Sequence, residues 1–229
     1  MQISEHPLLA HGARKPWGVM LHTTGGGLPD KAHHEGLSPL ETARKVYGGM
    51  REGPHYVIAP DGAVERYRAD DQIAYHCGVS PVDRRDFLTG HWEARVGRGV
   101  VGWWRARWPG VLSPQHLYPS TSPNSDYIGV ELIPCLAQTK GNGGSLKPVF
   151  GTPIGGERGR FTGAQYVAAA LLTLQLCEAY SIPMRRRGRV VGHEDINPIT
   201  RPGWDPGDMQ GYWSWNTFWG IVDGLERHK

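Results

Sequence analysis

The chain has 229 residues, a length that fits one domain. Hydrophobic residues make up 39% of it and charged residues 21%, which is enough apolar material for one core and excludes wholesale disorder. The formal net charge of +3 gives no indication of a nucleic-acid partner. Its three cysteines lie far apart with no CxxC pair, so no disulfide scaffold is expected.

The first residues of the chain do not look like a targeting segment. A basic start followed by a long apolar run is missing there, so we expect no signal peptide. No stretch of the sequence approaches the ~18 apolar residues of a membrane span. We therefore expect the protein to be synthesised in the cytoplasm without an export signal of its own. We also expect it to be a monomer.

The first half of the chain carries three local signals. Residues 17–22 form an apolar run that ends in a histidine before Thr-Thr-Gly-Gly-Gly, which predicts a buried strand. Ser38 and Glu41 form a capping-box pattern and predict a helix over 39–50. Residues 55–67 contain two β-rich runs around Pro-Asp-Gly, which predicts a hairpin.

The middle of the chain lacks such a regular series of strand and helix signals. Residues 79–125 contain six arginines and four tryptophans, and we interpret them as an insertion with one short helix. Residues 127–133 predict a central strand, and the Gly-rich residues 138–160 predict an exposed loop. Thr162 and Gln165 then form a second capping box, which begins the longest predicted helix.

The C-terminal part continues the pattern. The apolar stripe of the long helix is expected at Val167, Leu171, Leu174 and Cys177. Residues 189–193 predict a short strand that again ends in a histidine, and the aromatic residues 212–219 predict a final helix packed on the sheet. His33 and His34 are expected in a polar surface loop.

Strands that alternate with helices predict an α/β fold: a single domain over residues 1–229 with a mixed central sheet, helices on its faces and the insertion at 79–125. Such sheets bind ligands at the carboxyl ends of their strands. His22 and His193 fall at that edge. Taken singly, a histidine in such a place is more often a structural residue with satisfied hydrogen bonds.

A carboxylate 12 residues after His193 makes a metal site plausible. Two prolines interrupt the run from His193 to Asp205, so a loop must fold back to bring Asp205 beside the histidine. Two imidazoles and one carboxylate are a sufficient ligand set for zinc, and a catalytic zinc site keeps its fourth position open.

Six segments, in this order, resemble the N-acetylmuramoyl-L-alanine amidases of the type that includes phage amidase endolysins, bacterial muropeptide amidases and peptidoglycan recognition proteins. The segments are 19–24, 55–62, 74–78, 128–132, 161–165 and 192–207. The resemblance implies the fold of that family, a Zn²⁺ cofactor, and peptidoglycan or muropeptides as the partner.

Residue by residue, the resemblance implies three roles. His22, His193 and Asp205 correspond to the zinc ligands. Glu131 corresponds to the acid that handles the catalytic proton. His76 corresponds to a histidine near the substrate.

The sequence also departs from the family at two positions. Gly203 stands where a cationic Lys often lies, and we expect Arg201 to replace it because a guanidinium offers permanently charged donors. Pro54 stands where active phage members carry a Tyr. Tryptophans of the insertion could stack on sugar rings or form a satellite core, and both interpretations stay open.

The resulting expectation is a zinc-dependent enzyme that cuts the amide bond between N-acetylmuramic acid and L-alanine in the bacterial cell wall, as a phage endolysin. Three alternatives remain. One is a peptidoglycan-binding module that has lost catalysis, another is a cytoplasmic amidase that recycles muropeptides, and the third is a toxin delivered between bacteria.

Overall fold

Short apolar runs alternate with helical segments along the chain, and a computed structural model gives their arrangement. It describes residues 1–5, 14–24, 27–48, 50, 52–77, 123–138, 146–154, 160–186, 189–196, 206 and 212–228. The strands are β1 Ile3–Glu5, β2 Gly18–Thr23, β3 Tyr56–Ile58, β4 Val64–Arg66, β5 Tyr127–Leu132, β6 Leu136–Gln138, β7 Leu146–Pro148 and β8 Val190–Gly192. The helices are α1 Gly27–Glu35, α2 Pro39–Gly48, α3 Pro123–Asp126, α4 Gly163–Tyr180, α5 His193–Ile196 and α6 Trp215–Glu226.

Six strands form one mixed sheet in the order β1-β4-β3-β5-β2-β8. All neighbours in it are parallel except β3 and β4, which form the antiparallel hairpin. The expected α/β fold with a mixed central sheet and flanking helices is therefore confirmed. β2 and β5 are interior strands, which explains why both read as almost wholly apolar runs in the sequence.

Alternation of side chains along the strands gives the sheet two different faces. One face packs against α4 and α6 and forms the main hydrophobic core. Its members on the strands are Val19, Leu21, Tyr56, Ile58, Val64, Ile128, Val130, Leu132 and Val190. The other face carries Val57, which packs in a smaller apolar cluster with residues of α1 and α2. Met20, His22, Gly129 and Glu131 alternate with the core residues and so belong to this second face.

Helix α4 begins as predicted. Thr162 accepts a hydrogen bond from the backbone N–H of Gln165, whose side chain accepts from the backbone N–H of Thr162. The Gln165 amide also donates to the carbonyl of Ile133 at 2.7 Å, which ties the helix to the sheet. The predicted stripe was wrong at Val167, which is 42% exposed, because the small side chains at positions 168–170 face inward instead.

The other local signals of the first half are confirmed as well. Ser38 and Glu41 make both hydrogen bonds of a capping box at the start of α2. The hairpin turns through Gly62, whose φ of 86° lies in the region that glycine adopts without strain. Residues 138–160 are not a plain loop, because β6 and β7 pair there as an antiparallel ribbon.

Two further elements, both in the first half of the chain, were missed from the sequence. The pair His33 and His34 belongs to α1 rather than to a loop, and β1 adds a parallel strand to the sheet edge. The insertion at 79–125, with its expected short helix, lies outside the described residues up to position 122. The described helices include none that is long and apolar enough to span a membrane. All three cysteines are buried and free.

Candidate active site

Two histidines lie side by side at the carboxyl ends of neighbouring parallel strands. The register of β2 and β8 sets Leu21 opposite Gly192, so His22 and His193 follow one position further on. Their ring centroids are 4.6 Å apart, with 61° between the ring planes. The two residues are only 1% and 2% exposed, so both imidazoles sit in a nearly dry environment.

Glu131 lies opposite His22 on β5, the strand that flanks β2 on the side away from β8. The parallel register of β2 and β5 pairs these two residues directly. Residues in such a pair project from the same face of a sheet, here the face opposite the main core. Glu131 is 8% exposed and lines a cavity of about 420 Å³ together with His76 and Asn124. A carboxylate and an imidazole therefore meet at one opening next to the paired histidines.

His76 packs on this face directly beside His22. Its Nδ1 lies 2.8 Å from Nε2 of His22, and its Nε2 donates to the carbonyl of Tyr127 at 2.9 Å. Glycine at position 129 makes the approach possible, since a Cβ there would lie 2.3 Å from Cγ of His76. Burial, with a smaller contribution from the nearby charge of Arg14, lowers the pKa of His76 to about 3.

A second buried network of hydrogen bonds contacts strand β5 at Gly129. The backbone N–H of Gly129 donates to Nδ1 of His55 at 3.0 Å, so the ring proton belongs on Nε2, which lies 2.9 Å from the carbonyl of Gln72. Arg14 donates to that carbonyl at 2.7 Å and to the carbonyl of Tyr127 at 2.6 Å. Burial lowers the pKa of His55 well below its usual value and that of Arg14 to about 10.

The turn that carries His193 is fixed by an ion pair. Asp195 is fully buried, and its carboxylate accepts from the backbone N–H of Gly192 at 2.8 Å. Arg186 donates to the same carboxylate at 3.0 Å, and its guanidinium lies 3.9 Å from the ring centroid of Trp215. Because these contacts fix the backbone where β8 ends and α5 begins, they set the backbone position of His193.

The chemistry of the donor pair fits zinc. Zinc–imidazole bonds are about 2.0–2.1 Å long, so two rings with centroids 4.6 Å apart are close enough to ligate one ion. Within the described residues, no set of three His, Cys, Asp or Glu side chains is arranged to hold a metal. Asp205, the expected third ligand, lies outside those residues, as do Arg201 and Gly203.

The structure thus brings together four of the six residues singled out from the sequence: His22, His76, Glu131 and His193. His55, Arg14 and Asp195 were given no role from the sequence. His55 and Asp195 both belong to segments that carry the family resemblance, and for His55 a polar residue beside an apolar run was the available signal. Arg14 gave no signal, because the carbonyl groups to which it donates lie more than 50 residues away in the chain.

These features define a class: an α/β domain whose polar site lies at the carboxyl edge of parallel strands. Residues 12–208 match the family model of the N-acetylmuramoyl-L-alanine amidases. The chain belongs to this family, whose substrate is peptidoglycan, and its recognition from sequence motifs is confirmed. No curated protein matches the sequence.

Three solved structures illustrate the shared fold, each with a TM-score of 0.50. A selenomethionine derivative of AmpD is 20% identical, covering 96% of this chain and 94% of its own. A mutant of PlyL is 15% identical, covering 97% and 99%. The hydrolase AmiA of Staphylococcus aureus, in complex with its ligand, is 14% identical, covering 97% and 82%.

Proposed function

We propose that this protein hydrolyses the amide bond between N-acetylmuramic acid and L-alanine with a zinc ion held by His22, His193 and Asp205. The observation that supports it most is the placement of Glu131 in register with His22, which itself lies 4.6 Å from His193 between ring centroids. When bound, zinc supplies a Lewis acid that polarises the amide carbonyl and makes water more acidic.

Glu131 is proposed as the proton carrier. Its carboxylate takes a proton from the attacking water, whose oxygen bonds to the carbonyl carbon. The same proton passes to the L-alanine nitrogen as the C–N bond breaks, which releases a free amine and a muramic acid carboxylate. Nearly complete burial of Glu131 suits this role, because a site that excludes bulk water limits leakage of the transferred proton.

Arg201 is proposed to stabilise the negative charge that develops on the carbonyl oxygen. Glycine at position 203 has no side chain to do so, and a guanidinium two residues earlier carries a permanent charge and several N–H donors. His76 lines the cavity beside Glu131, which supports the expectation that it lies near bound substrate.

The decisive experiment is a digestion of purified sacculi, followed by quantification of new N-terminal alanine. Activity should disappear with a chelator and return with added zinc. Glu131→Gln should lower the rate by about 10²–10⁴-fold, the usual contribution of a general acid–base group. Glu226→Gln, at an exposed position of α6, is the matched control and should leave the rate unchanged. Absence of new alanine amines in the wild-type digestion would refute the proposal.

Within this activity, we propose the lytic role of an endolysin that acts on intact cell walls. A net charge of +3 and a pI of 8.8 suit attraction to an anionic polymer. The form of the substrate separates the alternatives. A recycling amidase would cut soluble anhydro-muropeptides and leave sacculi intact, whereas a binding module would sediment with sacculi without releasing amines.

A further inference from the structure

The two ring nitrogens of His76 have different partners, and this difference locates the proton. A carbonyl oxygen only accepts hydrogen bonds, so Nε2 of His76, 2.9 Å from the carbonyl of Tyr127, must carry the proton. In the neutral ring, Nδ1 then has only a lone pair. The partner of that lone pair, Nε2 of His22 at 2.8 Å, is consequently a donor. His22 therefore carries its proton on Nε2 and has its lone pair on Nδ1.

Independent contacts hold His76 in this position. Asn124 accepts from the backbone N–H groups of His76 and Cys77 at 2.9 Å and 2.7 Å, and donates to the carbonyl of Cys77 at 2.8 Å. The ring rests against Gly129, where no Cβ could be accommodated. Arg14 also donates to the Tyr127 carbonyl, at 2.6 Å, so the acceptor that orients the His76 ring is itself fixed.

We propose that His76 is a positioning residue for His22: it holds the Nε2–H tautomer of His22 and so selects Nδ1 as the nitrogen offered to a metal ion. Both of its own nitrogens are engaged within the protein, so it acts through His22 rather than by hydrogen bonding to substrate. The part that concerns metal rests on the proposed zinc function. The part that concerns the tautomer does not.

A histidine ligand whose second nitrogen donates to a fixed acceptor binds its metal more tightly, because ring orientation and tautomer are already set. Loss of such an acceptor typically weakens metal binding by about 10–100-fold. His76→Ala removes the acceptor. His76→Asn restores an acceptor oxygen near the position of Nδ1 and serves as the conservative variant. His34→Ala, at an exposed position of α1, is the control.

The first measurement is long-range ¹H–¹⁵N NMR of the full-length, metal-free protein with ¹⁵N-labelled histidine, in which the signals of His22 are identified by their loss in His22→Ala. We expect the Nε2–H tautomer in the wild type and in His76→Asn, and a mixture of both tautomers in His76→Ala. An Nδ1–H tautomer of His22 in the wild type would overturn the proposal, whether or not the variants fold.

The second measurement is the zinc dissociation constant, obtained by competition between zinc chloride and a chromophoric chelator. His76→Ala should bind zinc about 10–100-fold more weakly, whereas His76→Asn and His34→Ala should stay within about threefold of the wild type. Wild-type affinity in a folded His76→Ala would refute the positioning role. A wild type that binds no zinc would refute the proposed function instead. The NMR measurement would in that case still decide whether His76 holds the Nε2–H tautomer of His22.

Discussion

The close approach of His76 to strand β5 makes Gly129→Ala a sharp test of the site. The new Cβ would lie 2.3 Å from Cγ of His76 and 2.6 Å from both Cδ2 and Nδ1. Since Cγ is the first atom of the ring, it cannot swing away without moving the whole side chain. Ordinary contact begins near 3.4 Å, so the ring must shift by about 1 Å, more than its hydrogen bonds to His22 and Tyr127 can follow.

The cost has two parts. Overpacking a filled site costs about 1–3 kcal/mol, and the two lost hydrogen bonds add about 1 kcal/mol each. We therefore expect the free energy of unfolding of Gly129→Ala to fall by about 3–5 kcal/mol. Gly220→Ala is the matched control: it lies in α6 and its Cβ would meet nothing within 4 Å. That change should stabilise the protein by about 1 kcal/mol, the ordinary helical preference for alanine.

Urea denaturation of the metal-free protein, followed by circular dichroism, measures both changes. A double variant that combines Gly129→Ala with His76→Ala removes the ring that the new methyl group strikes, so its loss should be well below the sum of the two single losses. A loss of less than about 1 kcal/mol of unfolding free energy in Gly129→Ala, or additive losses in the double variant, would contradict the proposed clash with His76.

Three further outcomes are expected. Asp195→Asn should lower the free energy of unfolding by about 2–4 kcal/mol in denaturant titration, because it leaves Arg186 and the N–H of Gly192 without a charged acceptor; a change below about 0.5 kcal/mol would contradict this. Gln165→Leu should cost about 1–3 kcal/mol and lower the Tm in calorimetry, since buried backbone groups lose their partner; an unchanged Tm would disprove it. His55 stays neutral in the folded state because burial lowers its pKa, whereas the unfolded chain takes up a proton below about pH 6.5. Acidification below that pH should therefore destabilise the metal-free protein by about 1.4 kcal/mol per pH unit for each such histidine. His55→Gln should reduce the dependence of the unfolding free energy on pH by the contribution of one histidine. The same pH dependence in the variant and the wild type would refute the assignment.

Features with a local physical cause were predicted well from the sequence. Both capping boxes and the Pro-Asp-Gly hairpin depend on residues a few positions apart, so their patterns were visible directly. The approach of His22 to His193 followed from one general rule, that parallel strands end at the same edge of a sheet. Glu131 was identified through the family resemblance of residues 128–132, and the structure places it in register with His22.

Features that depend on distant partners could not be predicted. Strand β6 is held by a hydrogen bond from the backbone N–H of Gln138 to Asp30, 108 residues away, and the sequence around it looks like a loop. Arg14 acts through carbonyls that belong to remote segments. Val167 was misplaced because α4 is apolar on nearly every side, so periodicity alone does not say which side faces the sheet. The roles of Asp205 and Arg201 stay predictions.

The register that joins β8, β2 and β5 has a kinetic consequence. His22 and Glu131 lie on β2 and β5 and His193 follows β8 directly, and each of the three residues is more than 60 positions from the next in the chain. Closing such long loops is slow and costs chain entropy before any contact compensates for it. The site therefore cannot exist in a fragment or in a half-formed sheet. Proximity of all three residues therefore requires that β8, β2 and β5 have paired correctly.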